Sequence, residues 1–351
     1  MSSRLKEQLD ELDRQIEAMR AAGNRAGEAA VHAQKALLSA LSMDLQAAAK
    51  EIAKAGALAE EEGQVETLAQ VHLAQGKALL NQPGQRKAAE DALHKAAALY
   101  HTLEDPSGEA EALKELANLD MAAGNSQGAM EHINKAIGVL EDGEASEPKR
   151  TIELHQMRSS CHLLLGDLDS ALADLDTALD LAQQSEDSAL ALQIRVQQYT
   201  LQSLRSEGAT SERLAALLQE AQRVGNLQVV GDIQLQQAAR SLLAGQYRQA
   251  LEQAQAARQA ARESDDLTRF VRYLSASLLM AEAQERLEDR PGVLATLLTC
   301  KVYLETYLGP EMGRYMNMLL DTLEQRWGRE GLAEAVRIYQ QRAQEQGPYQ
   351  A

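Results

Sequence analysis

The stretch "GDLDSALADLDTALDLA", residues 166–182, sets Gly166 ahead of Ala171, Leu175 and Ala178 at offsets of five, nine and twelve. The same offsets return in "GQRKAAEDALHKA" (Gly84, Ala89, Leu93, Ala96), "GNSQGAMEHINKA" (Gly124, Ala129, Ile133, Ala136) and "GQYRQALEQAQAA" (Gly245, Ala250, Ala254, Ala257). Three copies lack the glycine. They place Ala48, Ile52 and Ala55, then Leu214, Leu218 and Ala221, then Val293, Leu297 and Cys300 at the same steps. Successive copies lie 41, 40, 42, 43, 36 and 43 residues apart, and a near-constant period of that size is the signature of a solenoid. Steps of four and three put the apolar residues on one helical face. Small residues there let a neighbouring helix approach closely. The glycine marks a helix stop, where φ > 0 is favoured. A helical stretch such as "ELHQMRSSCHLLL" precedes each turn, so the unit is helix, turn, helix.

Composition agrees. The chain has 351 residues, 45% of them hydrophobic, with aromatics at 3%, and it is rich in Ala, Leu, Gln and Glu, which favour helix. A net charge of −17 repels phosphate backbones and anionic lipid, so no nucleic acid and no membrane surface is expected as partner, and a basic protein segment is. Cys161 and Cys300 are far apart in sequence and read as reduced thiols of a cytoplasmic protein. No apolar run reaches the ~18 residues of a membrane span, and the N-terminus lacks a signal-peptide core.

The Gly turn, the small residue five positions on, the apolar residue one turn later and the Ala three beyond that resemble the tetratricopeptide repeat family over roughly residues 29–307. The period near 41 exceeds the family's usual ~34, the second-helix aromatic is replaced by Leu, Ile or Ala, and the closing proline is mostly absent. HEAT or armadillo repeats share the longer period but account less well for the Gly-to-Ala spacing. The resemblance implies an all-α, right-handed solenoid (a superhelix) with ligands lying in a concave groove lined by the first helix of each repeat. It also implies a protein-binding scaffold, not an enzyme, with no cofactor. The alternative is a peptide-responsive regulator that changes shape on binding.

The ends differ from the middle. In residues 1–28, Leu5, Leu9, Leu12, Ile16 and Met19 form a two-heptad seam, which suits either a helix packed on the first repeat or a short dimer-forming coiled coil. "EDGEASEPKR" (141–150) and "LRSEGATSER" (204–213) read as loops. Eight of the eleven aromatics lie between Phe270 and Tyr349. Residues 308–351, with Met312, Met316, Leu319, Leu323 and Trp327 at helical spacing, suit a terminal cap or a second binding surface.

No catalytic motif or phosphate loop is present. His155 and His162, like His94 and His101, are seven apart and match no metal pattern, so no metal site is expected. Projecting the groove back from each turn gives Val71, Ala74, Gln75 and Ala78; Glu111, Lys114, Glu115 and Asn118; Glu153, Gln156, Met157 and Ser160; Val196, Tyr199, Thr200 and Ser203, in a register uncertain by one; and Asp232, Leu235, Gln236 and Ala239. The expected peptide-contacting residues among these are Ala74, Gln75, Lys114, Asn118, Gln156, Met157, Tyr199 and Gln236. Lys114 and Asn118 have the spacing of the family's carboxylate clamp, but Met157 stands where an Asn is needed and only Arg195 lies near the expected cationic pair. Lys114 therefore reads as an isolated cation, and the lining as a surface of small and amide side chains for a peptide with apolar anchors and basic residues.

Overall fold

The computed structural model describes residues 3–41, 44–80, 82, 84–143, 147–204, 211–266 and 268–346, and among them there are sixteen helices and no strand. They are α1 (Ser3–Ala21), α2 (Arg25–Leu41), α3 (Leu45–Glu61), α4 (Val65–Leu80), α5 (Arg86–Thr102), α6 (Pro106–Ala122), α7 (Ser126–Asp142) and α8 (Pro148–Leu164). There follow α9 (Leu168–Gln184), α10 (Ser188–Ser203), α11 (Ser211–Val224), α12 (Leu227–Leu243), α13 (Tyr247–Glu263), α14 (Arg269–Arg286), α15 (Arg290–Leu308) and α16 (Pro310–Gln346). The chain divides into two compact units, Met1–Ile194 and Arg195–Ala351.

The seven sequence copies are the second helices of seven pairs, α2/α3 to α14/α15. Ala48, Ala89, Ala129, Ala171, Leu214, Ala250 and Val293 are all buried, and so are Ala55, Ala96, Ala136, Ala178, Ala221, Ala257 and Cys300, about two helical turns downstream. A methyl group at these places lets two helices close together, and Leu93, Ile133 and Leu175 fill the space beside them. In the first unit α2, α4 and α6 pack in sequence as first helices, and in the second α12 packs on α14 in the same way.

One kind of turn recurs at several of the joints. At Gly124 (φ 74°) the Asn125 amide donates to the Asp120 carbonyl at 2.9 Å, and the Asn125 side chain accepts from the Gly128 amide at 3.1 Å. A helix stop and the next helix's N-cap are thus fused in two residues. Glu288 (φ 61°) does the same with Asp289, which accepts from Gly292 at 3.2 Å. Glu104 and Glu186 repeat it between pairs, followed by Asp105 and Asp187.

The ends extend this pattern. Along α1, Ile16 is buried and Leu9, Leu12 and Met19 are half-buried, and α1 packs on α2; the Leu5 side chain lies outside the described residues. The central parts of the two expected loops, 144–146 and 205–210, also lie outside them. α16 is interrupted at Gly328 (φ 73°, ψ 165°). Met316, Leu323 and Ala335 from its two segments are buried with Tyr303 and Leu304 of α15, and Trp327 joins that core while donating to Glu285 at 3.1 Å.

Candidate functional site

In the first unit, the row of first helices carries a dense ion network. Lys77 Nζ of α4 lies 2.5 Å from Glu111 Oε1 and 3.1 Å from Glu115 Oε1 on α6. Lys114 Nζ lies 2.9 Å from Glu111 Oε2 and 3.2 Å from Glu153 Oε2 on α8, and Arg150 Nε of α8 lies 3.6 Å from Glu111 Oε2. Burial pushes the Glu111 carboxyl up, but Lys77 and Lys114 outweigh it by charge and hydrogen bonding and hold the group down to about 2. Burial pushes Lys114 down, but Glu111, with Glu153 and Glu115, outweighs it and raises the ammonium above its ordinary value.

This overturns one sequence expectation. Lys114 is not an isolated cation: its ammonium is shared between Glu111 and Glu153, because three successive helices converge on one half-buried carboxylate. Asn118 donates to Glu115 at 3.0 Å, and Arg195 pairs with Glu220 at 2.9 Å, so the residues weighed for a carboxylate clamp are engaged elsewhere. Ala74 (0% exposed) and Tyr199 (2%) are buried and offer no surface. Gln75 and Gln156 are half-buried, and Met157 is half-buried against the core. Gln236 donates to Thr200 at 2.8 Å, and on α10 the half-buried face carries Gln197 and Thr200 where the projection has Val196 and Tyr199.

The second unit repeats the arrangement with less compensation. Asp232 of α12 stands where Glu111 stands in α6, each the sixth residue of its helix. Arg272 of α14 reaches back toward it as Arg150 reaches toward Glu111, but stops at 3.9 Å from Asp232 Oδ1. Arg272 is held by Asp266 and donates to Thr268 Oγ1 at 2.6 Å. Where α6 has Lys114, α12 has Leu235. Burial pushes the Asp232 carboxyl up, Arg272 offsets only part of this and Asp266 adds to it, leaving the group at about 6. The projection covers the middle of each first helix, so it missed Arg150 and Arg272, which sit in the first turn and reach back along long side chains.

Further along the second unit an apolar face opens between α14 and α16. A cavity of about 210 Å³ is lined by Leu278, Leu297, Leu319 and Leu323, with Glu282 and Arg326 at its edge. On the same two helices Val271 (66%), Tyr315 (46%) and Met318 (68%) expose large apolar side chains. Between α14 and α15 Tyr273 stacks on Tyr303 at 3.9 Å, and Arg269 lies over Phe270 and Tyr307. The sequence signal for this face was the aromatic and Met enrichment of the last third.

Two histidines serve as struts. His155 Nδ1 lies 3.0 Å from Asp174 Oδ1, joined by Arg158 Nη2 at 2.6 Å, and His32 pairs with Glu51 at the equivalent place in the first pair. Burial pushes the Asp174 carboxyl up, but His155 and Arg158 hold it low. Cys161 and Cys300 are buried free thiols, both raised by burial. Among the described residues no group of three or more His, Cys, Asp or Glu side chains is placed to hold a metal ion, and no helix is long and apolar enough to cross a membrane.

No protein-family model matches the chain, and no curated protein matches it. Solved structures do. A crystal structure of aspartyl phosphate phosphatase F from Bacillus subtilis aligns over 100% of this chain and 97% of its own, at 12% identity and a TM-score of 0.57. The apo form of RapI aligns over 93% of this chain and 99% of its own, at 11% identity and a TM-score of 0.55. At such identities the likeness is one of fold: the chain is an all-α solenoid of tetratricopeptide-like helix pairs.

Proposed function

We propose that the protein is an interaction scaffold whose docking face is the α14–α16 surface of the second unit, and that it receives a net basic protein segment with apolar anchors. The observation that carries this reading is the apolar cavity lined by the part-exposed Leu278, on helices that also expose Val271, Tyr315 and Met318. Large apolar side chains gathered around a recess favour a partner's apolar residues over water. The charge of the chain selects among such partners, since −17 attracts basic segments and repels acidic ones. In the first unit the corresponding helices spend their charged groups on one another, which leaves that row less suited to a guest.

A photo-crosslinking residue at Leu278 or Met318, with Asp180 on the second-helix side of the first unit as control, tests this in the cells that make the protein. The expected result is one shared crosslinked protein at positions 278 and 318, with the crosslink at 318 lost in Leu278→Arg and none at 180. Equal labelling at all three positions, or labelling that survives Leu278→Arg, would move the docking face elsewhere.

A further inference from the structure

Asp232 is a carboxylate short of a cation. Its counterpart Glu111 has three cationic groups within 3.6 Å, whereas among the described residues Asp232 has one, Arg272, at 3.9 Å, beyond hydrogen-bond reach. Arg272 is already committed to Asp266 and Thr268, and its Nε is buried without a hydrogen-bond partner. Two carboxylates therefore share one guanidinium, and one negative charge is left over. The Asp232 side chain keeps 36% of its surface exposed, so the group is reachable.

We propose that Asp232 is the receiving point for a lysine or arginine side chain of the docked segment, a place that Lys77 and Lys114 fill from within in the first unit. The proposal deepens the docking reading above and rests on it. Leu235, one helical turn along α12 and half-buried, supplies an apolar wall for the aliphatic stem of such a side chain, where a lysine in its place would have closed the site. The charged groups that act on Asp232 are Arg272 from α14 and Asp266 from the turn before it. A guest cation would supply what they do not, and would be released as the carboxyl protonates below about pH 6.

The site can be probed without the partner. The Asp232 carboxyl carbon, assigned with Asp232→Asn, is followed by NMR through pH titrations of the intact protein in n-butylammonium chloride and, at equal ionic strength, in tetramethylammonium chloride. The expected result is a saturable downward shift of the Asp232 midpoint with n-butylammonium only, no such shift at Glu111, and no response in Leu235→Lys, where the new ammonium occupies the place. Identical midpoints in the two salts, or a response that persists in Leu235→Lys, would overturn the proposal. Either would leave the docking reading standing, because that is decided separately by the crosslinks at Leu278 and Met318.

Discussion

Glu111 and Asp232 occupy the same place in their repeats and have opposite fates. Each lies 18 residues before the small residue that opens the following helix, Ala129 or Ala250, and each is approached by an arginine from the next first helix. Glu111 is drawn to about 2 and Asp232 is pushed to about 6. The scaffold is the same, and the difference lies in two or three side chains around it. Repetition fixes where a group is placed, and the substitutable positions beside it decide whether it is spent internally or left for a partner.

The scaffold itself should respond alike in both units. Ala171 and Ala250 are at most 1% exposed at helix contacts, so Ala171→Trp and Ala250→Trp should each destabilise by about 2–4 kcal/mol through overpacking. Denaturant melts followed by probes in each unit would check this, and an unchanged midpoint for either variant would remove that alanine from the interface.

The acid response should separate the units. The folded Glu111 carboxyl lies below its unfolded value near 4.5, so its stabilisation is complete above that pH and is lost as pH falls toward 2, on the order of 2–3 kcal/mol. The folded Asp232 carboxyl lies above its unfolded value near 3.8. Ionising it therefore costs stability as pH rises through about 6, and the second unit should gain as pH falls from about 6 toward 4. Stability measured across pH 2–7 with unit-specific probes should show opposite slopes. Parallel slopes would break the comparison.

A smaller effect comes from exchanging the neighbours. Lys114→Leu should raise the Glu111 midpoint while Lys77 keeps it below the usual range, and Leu235→Lys should bring Asp232 down toward the ordinary carboxylate value. If neither midpoint moves, the lysine-for-leucine difference is not the cause.

The helix pairs were legible because packing leaves a strict trace: where two helices touch, only Ala or a small apolar residue fits, and positions such as 129 and 171 repeat that constraint. The turns were half legible. Glycine was read as their mark, but Glu104, Glu186 and Glu288 adopt the same positive φ, and what recurs beside them is the Asp or Asn that caps the next helix. The projected lining put Glu111, Lys114 and Asp232 on the first helices, yet its geometry could not show that Lys77 and Arg150 reach across helices to meet Glu111. Ala74 and Tyr199 failed for a related reason. A helix rotated by one residue position exchanges a surface residue for a core residue, and the fifth copy, with its non-glycine turn, gave no firm register.

The most direct test compares Glu111→Gln with Asp232→Asn by denaturation at pH 7.5. Glu111→Gln removes a carboxylate that Lys77 and Lys114 hold, so the midpoint should fall, by on the order of 2 kcal/mol in stability. Asp232→Asn removes a charge its surroundings do not compensate, so the midpoint should rise, by well under about 1 kcal/mol once solvent screening at this half-exposed group is allowed for. Changes of opposite sign are the predicted result, and a loss of stability in both variants would contradict it.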